Sequence, residues 1–364
     1  MKRQLSTFAA GLLALALAPL TVAGPAAAAD PVACGDTITT DLTLTEDLVC
    51  GGPVGLLVQG DVTIDLDGHR LTGPGSGIGI LLDFVGDDAH HTVTVRDGSI
   101  NNWGTGATSR YTVGHQTVVV ENVDFTGNGA ALIGYEVPDF EVHRSRFEGN
   151  GNGVSVWSAG ATVSRSVFVD NRTALTASNA GGFRISHSTI AGSDIGVRCS
   201  DGGAVIHHSR LEQNGTALWC WLGSGEVTHS TFAGNDRGIY LFFETYFHVE
   251  KNTFSDNGVG IEMGYLDHSQ VVRNTFRGNG TGFLCTPPID APPASTTLET
   301  NRFSRNGDGI YTTQAEESWS VVRLAGNTAD HNTGWGIYVE QAEDLGGNVA
   351  RHNGNEPQCF GVEC

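Results

Sequence analysis

The chain has 364 residues, with 40 acidic side chains against 20 lysines and arginines, for a net charge of −20. That balance argues against nucleic acid and anionic lipid as partners. It also repels a polyanionic glycan wherever no cation or basic patch intervenes.

Lys2 and Arg3 open the chain, an apolar run follows from Phe8 to Ala23, and Ala27-Ala28-Ala29 precede Asp30. This order predicts a secretory signal over 1–29, cleaved after Ala29. The run is short for a membrane anchor and ends in small residues. The mature chain is therefore expected to be secreted and extracellular, with no membrane partner. It keeps Lys251 as its sole lysine and carries a net charge of −22.

Residues 30–60 read as an N-terminal cap. Cys34 and Cys50 flank this start, and Cys359 and Cys364 close the end, so each pair is placed to staple a terminus. Irregular first turns follow at Val62–His69 and Val93–Gly98.

From Phe125 onward an Asn recurs, through most of the chain every 21 or 22 residues, three places after an apolar anchor. The pairs are Phe125/Asn128, Phe147/Asn150, Phe168/Asn171, Leu211/Asn214, Phe232/Asn235, Phe254/Asn257, Phe276/Asn279 and Phe303/Asn306, with Ile190/Ser193 as a break. A fixed period of this length marks a solenoid, one repeat per turn. Within a turn, Ile239-Tyr240-Leu241 and His248-Val249-Glu250 alternate as strands, between corners rich in Gly, Asn and Ser. Ala233–Gly238 reads as one such corner. Three short strands per turn give a triangular coil. The coils are assigned to 61–344, with a C-terminal cap over 345–364. Inserts at Thr286–Thr297 and Gln314–Ser320 read as overhanging corner loops. The recurring Asn residues, and a Ser/Asn column two places before each anchor, are expected to be stacked structural ladders.

Cys199 and Cys220 stack in neighbouring turns. Strand spacing of about 4.8 Å lies within the disulfide range, while parallel side-chain vectors are poor for a bond, and both readings stand. Cys285, three turns from Cys220, is expected to be the buried odd thiol.

The run Asn252-Thr253-Phe254-Ser255-Asp256-Asn257-Gly258-Val259-Gly260-Ile261 resembles the repeats of right-handed parallel β-helix proteins of the pectin-lyase-like superfamily, secreted bacterial type. Cys34-Gly35-Asp36-Thr37-Ile38 and Ile64–His69 are similar to secreted members as well. The resemblance implies an all-β fold: a single right-handed parallel β-helix of three-strand coils with disulfide-stapled ends. It directs attention to the outward residues of the Gly-Ile-x-x strand, where enzymes of this superfamily carry their ligand cleft. There Trp219, Trp221, Tyr240 and Phe242 form an aromatic patch suited to stacking on sugar rings. Arg198, Asp201, Glu244, Glu262, Asp267 and His268 lie around it. Trp219, Trp221, Tyr240, Phe242, Asp201 and Glu244 are the candidate ligand-binding residues. Glu262, Asp267, His268 and Arg198 are the candidates for acid, base and uronate-neutralising roles. An Asp-Pro-His motif is absent, with Leu266-Asp267-His268 a partial echo; the polygalacturonase motifs are absent apart from Asp87-Asp88 in an early loop, and the pectate-lyase motif is absent too.

A second column, Arg144, Arg165, His187, His208, His229, Lys251 and Arg273, reads as a solvated corner ladder, or as an anion or metal stripe. No CxxC, EF-hand or Gly-Gly-x-Gly-x-Asp pattern is present, so no metal site and no cofactor are assigned, although acidic clusters leave calcium open. The function expected is polysaccharide binding, with processing by a lyase, epimerase or hydrolase reaction. A non-catalytic scaffold is the alternative. A monomer is expected.

Overall fold

The computed structural model describes residues 31–84, 89–109, 115–136, 139–179, 181–243, 245–265, 268–286, 295–313 and 321–364. The expected signal, Glu244, Asp267 and most of the two inserts lie outside the described residues.

Every regular element among the described residues is a β-strand. One coil shows the plan. Arg237–Phe242 lies in the first sheet, Tyr246–Glu250 in the second and Thr253–Ser255 in the third. Each pairs in parallel with its copy one coil on: Ile239 with Ile261, Val249 with Val271, Phe254 with Phe276. The first sheet runs through 15 strands, from Asp36–Ile38 to Cys359–Phe360. Early in the stack, His91–Asn101 and Gln116–Thr126 continue from the second face into the third. The segments assigned as caps also join the stack. Asp36–Ile38 pairs with Leu56–Val58, and Ile337 pairs with Cys359.

The corners explain why the repeat tolerates such varied residues. The corner between the second and third sheets turns on one residue per coil in the left-handed region: Arg144, Arg165, His187, His208, His229, Lys251 and Arg273, with φ from 48° to 54°. The basic column is thus a column of strained backbone whose side chains face outward. The corner from the third sheet back to the first uses Asp170, Gln213, Asp256, Arg305, His331 and His352, or a glycine, in the same conformation. This conformation costs roughly 1–2 kcal/mol for a non-glycine residue. The residue that follows each of them offsets that cost.

That residue belongs to a ladder. Asn257 Oδ1 accepts the Asn235 amide at 3.0 Å and Asn235 Nδ2 at 2.9 Å. Asn257 Nδ2 donates to Phe232 O at 3.1 Å and to Asn279 Oδ1 at 2.9 Å. The same pattern runs from Asn214 to Asn353. At the other corner, Ser145, Ser166, Ser188, Ser209 and Ser230 link amide to hydroxyl, and Asn252 to Asn348 continue with carboxamides. Ser193 breaks the first ladder, and its buried hydroxyl finds no partner. There the Asn171 carboxamide keeps its regular bond to Phe147 O and donates to Val169 O in place of the next rung.

Inside, apolar columns fill the triangle. Phe232, Phe254, Phe276 and Phe303 stack with centroids 4.9, 4.7 and 4.5 Å apart. Val154, Leu175, Val197, Leu218, Ile239, Ile261, Phe283 and Ile310 form the facing column, all fully buried. Between these columns glycine is required by space. A Cβ on Gly260 would meet the Phe276 ring at 2.8 Å. The Gly-Ile pair is therefore a break in alternation: Gly238 and Ile239 both face inward, so Arg237 and Tyr240 both face out.

Disulfides join Cys34 to Cys50 and Cys359 to Cys364 near the two ends, and Cys199 to Cys220 between neighbouring coils. The Cα atoms of Cys199 and Cys220 are 4.6 Å apart, the coil spacing itself, so no backbone shift is needed. Cys285 is buried and outside these bonds.

Candidate functional site

The outward column of the first sheet aligns Arg198, Trp219, Tyr240 and Glu262 across four successive strands. The next outward column aligns Ser200, Trp221 and Phe242. The inward residues between them include Cys199 and Cys220, so the strands that carry Arg198 and both tryptophans are cross-linked from behind.

The column is a cation–aromatic chain. The Arg198 guanidinium lies 4.9 Å over the Trp219 ring, and the Arg237 guanidinium lies 4.9 Å over the Tyr240 ring. Arg237 Nε in turn pairs with Glu262 Oε2 at 2.6 Å, on a carboxylate that is 18% exposed. Among the described residues Arg198 makes no ion pair, so its fork of N–H groups is available. Burial holds the Tyr240 phenol above its usual range; Glu262 adds to this and Arg237 opposes it. Tyr240 is therefore a neutral hydroxyl donor at physiological pH, not a base.

These contacts redistribute the expected roles. Trp219 and Tyr240 each give a ring face to a guanidinium. Phe242 lies over Gly264, where any Cβ would collide with its ring. It also packs edge-on to Tyr265, with centroids 5.2 Å apart. It is thus half core residue. Trp221 is the open aromatic of the group, at 40% exposure. Asp201 sits at the corner just beyond the strand, in the left-handed region, with its amide bonded to Trp221 O at 2.8 Å. His268 stacks on Tyr246, centroids 5.7 Å apart, at the start of the second sheet and makes no ion pair with Glu262. Glu244 and Asp267 lie outside the described residues.

Sequence reading runs the outward columns through Tyr135, Trp157 and Tyr311 but confines the candidate site to the central turns, and it assigns Arg237 to a corner. Arg237 sits inside the strand, not in the corner, because of the Gly-Ile break described above. Tyr135 and Trp157 extend the Trp221 column toward the N-terminus and are paired in register, at 54% and 50% exposure. Toward the C-terminus, Tyr311, Tyr338 and Phe360 continue the Tyr240 column as a stack with 5.2 and 4.8 Å spacings. The signal for all of these was the column register, followed beyond the central turns.

Two other features have less chemistry. His187, His208 and His229 stack as parallel rings 5.2 and 5.1 Å apart. Parallel rings at the coil spacing do not converge their nitrogens on one point. A groove of roughly 690 Å³ lies over the second sheet, with Gly160, Gly182 and Gly203 along it. Beside these glycines it is lined by His115, Glu136, Asp139, Glu141, Thr162 and Arg184.

The arrangement has clear relatives in fold. A variant of the periplasmic alginate epimerase AlgG superposes with a TM-score of 0.60 at 14% identity, covering 80% of this chain and 78% of that one. A further AlgG structure gives 0.52 at 12% identity, with 81% and 79% covered. The Azotobacter vinelandii mannuronan C-5 epimerase AlgE6 A-module gives 0.48 at 13% identity, with 86% and 90% covered. At these identities the likeness is one of fold alone. No curated protein matches the sequence. The family model for a right handed beta helix region matches residues 78–231 and 173–287, two overlapping stretches that together span more than half of the chain. The chain therefore belongs to the right-handed parallel β-helix family.

Proposed function

We propose that this protein binds an extracellular polysaccharide along the outer face of the first sheet. The observation that carries the reading is the in-register row Arg198–Trp219–Tyr240–Glu262 beside exposed Trp221. Open aromatic faces stack on the apolar faces of sugar rings. A guanidinium held flat on a tryptophan presents a planar fork to a carboxylate or to neighbouring hydroxyls. Aromatic clusters spaced along one sheet face, Tyr135 with Trp157, Trp219 to Phe242, and Tyr311 to Phe360, suit a linear polymer more than a small ligand. A polysaccharide-acting enzyme, the periplasmic alginate epimerase AlgG, has a similar fold. Three disulfides suit an oxidising compartment, in keeping with secretion.

Binding is better supported than turnover. Glu262 is committed to Arg237, and the Tyr240 phenol is poorly placed to act as a base. If the protein processes its glycan, the acid and base come from groups at the rim of this face, where Glu244, Asp267 and His268 stand in sequence. A glycan array of neutral and uronate polymers tests binding. Product analysis on each hit, for new reducing ends, unsaturated sugars or inverted C5 centres, then separates hydrolase, lyase and epimerase from a binding module. No binding to any glycan would leave the rigid-scaffold reading.

A further inference from the structure

We propose that Asp330, His331 and His352 form a site for a borderline divalent transition ion, zinc, nickel or copper, that clips the last coils together. The site lies on the corner between the third and first sheets, away from the aromatic face. His331 Nδ1 is 2.8 Å and His352 Nδ1 is 3.3 Å from the same oxygen, Asp330 Oδ1. One donor atom from each of the three residues lies within 4.8 Å of the others. Donors bound tetrahedrally at about 2.0–2.1 Å are about 3.3 Å apart, so the His352 separation already matches, while the His331 pairing, at 2.8 Å, opens by about half an ångström to admit an ion. The three donors cover one face of a tetrahedron. The fourth position faces solvent, since both imidazoles are exposed.

The backbone fixes these donors in advance. His331 and His352 hold the same left-handed corner position in successive coils, with φ 55° and 56°. Each precedes a ladder residue, and Asn332 and Asn353 are bonded to each other through amide and carboxamide at 2.9 Å. Their rings are tilted by 37°, whereas the His187, His208 and His229 rings are within 7° of parallel. The tilt and the shared carboxylate distinguish this pair from the histidine stripe. At the same corner position in the other coils stand Gly127, Gly149, Asp170, Gly192, Gln213, Gly234, Asp256, Gly278 and Arg305, none of them an imidazole.

The surroundings select the kind of ion. Arg305 precedes His331 in the corner column, and Arg351 precedes His352 in the chain. A hard ion held mainly by charge, such as calcium, gains little beside these guanidiniums and has a single carboxylate to use. A borderline ion bonds to imidazole nitrogen directly and tolerates that field better. For coordination each imidazole carries its proton on Nε2 and turns its Nδ1 lone pair toward the ion. The consequence is structural. Solenoid ends have a neighbour on one side only, and an ion shared by two coils ties that end by mass action.

The test uses the full mature chain, stripped with chelator and titrated with zinc by calorimetry. One tight site is expected, with a rise in melting temperature on saturation. The double variant His331→Ala/His352→Ala should weaken that site by about tenfold or more and lose the melting shift. Asp330→Asn, which keeps the side-chain shape, should weaken it as well. His208→Ala should leave the titration unchanged. Copper should give an electron paramagnetic resonance spectrum with two nitrogen donors in the wild type and none from this site in the double variant. Equal zinc affinity in the wild type and a folded double variant would overturn the proposal. So would a site that takes calcium in preference to zinc, or loss of zinc binding in His208→Ala.

Discussion

Removing one rung of the ladder, Asn257→Ala, gives a number that the geometry sets. The side chain makes four hydrogen bonds, two received from Asn235 and one each donated to Phe232 O and Asn279 Oδ1. Not all of these losses count equally. Asn235 Nδ2 keeps its bond to Leu211 O at 3.1 Å, and Asn279 Oδ1 keeps the Asn257 amide at 3.0 Å. The Asn235 amide loses its acceptor while its residue is 2% exposed. A buried donor left without a partner costs about 1–3 kcal/mol, and a lost but partly compensated bond about 0.5 kcal/mol. The expected destabilisation is about 2–3 kcal/mol. With an unfolding entropy of about 2.1 cal/mol/K per residue, a chain of this length loses about 3–4 °C in melting temperature. Hydrogen exchange adds a local signature: the Asn235 amide should exchange faster than amides two coils away. Glycan affinity should not change, because this corner lies off the proposed face. Unchanged melting together with unchanged exchange at Asn235 would refute the ladder argument.

The native break offers the reverse experiment: Ser193→Asn should restore a rung and raise stability by about 1 kcal/mol, visible as a higher melting temperature; a fall would show that the corner cannot hold a carboxamide. Phe232→Asp places an unpaired charge in the stacked phenylalanine column and should prevent folding; native circular dichroism with unchanged melting would contradict the coil register. At the C-terminal end, Asp344 accepts the Glu363 and Gly346 amides, each at 2.8 Å, and these bonds, the Glu363 amide first, hold its carboxyl below the usual range. A depressed carboxyl stabilises the fold above its ordinary pKa and loses that contribution as pH falls through the folded value. Asp344→Asn should therefore speed exchange of the Glu363 amide at neutral pH, with the difference from wild type vanishing in strong acid; a difference that persists there would refute the pairing.

The fold was legible because a solenoid writes its geometry into a period. The Phe anchors, the Gly-Ile pairs and the Asn columns each repeat a local demand, and the strands pair in the register those columns imply. The corners were legible only in part. Arg144, His187 and Lys251 share one column, yet nothing about their chemistry announces a left-handed backbone. Their common φ comes from the turn, and the following Ser or Asn makes it affordable. The candidate face was harder to read. Trp219 and Tyr240 were placed outward correctly, but their partners depend on side-chain reach across strands. Arg237 belongs to the face because Gly238 breaks the alternation. Phe242 is partly withdrawn because Gly264 leaves room beneath it. The Asp330–His331–His352 cluster was invisible to spacing rules, since its histidines are 21 residues apart and meet only through coil stacking.

The account of function rests on the cation–aromatic row, and its most direct test is the affinity of a glycan found on the array for the wild type and for the double variant Trp219→Ala/Tyr240→Ala. Both side chains face outward, so the core columns and the Cys199–Cys220 link stay in place and the variant should fold. The account predicts wild-type β circular dichroism with binding abolished, and Glu262→Gln alone should shift affinity only modestly, since that carboxylate serves to hold Arg237 over Tyr240. Full binding by the folded double variant would contradict the account and move the glycan site off the first sheet.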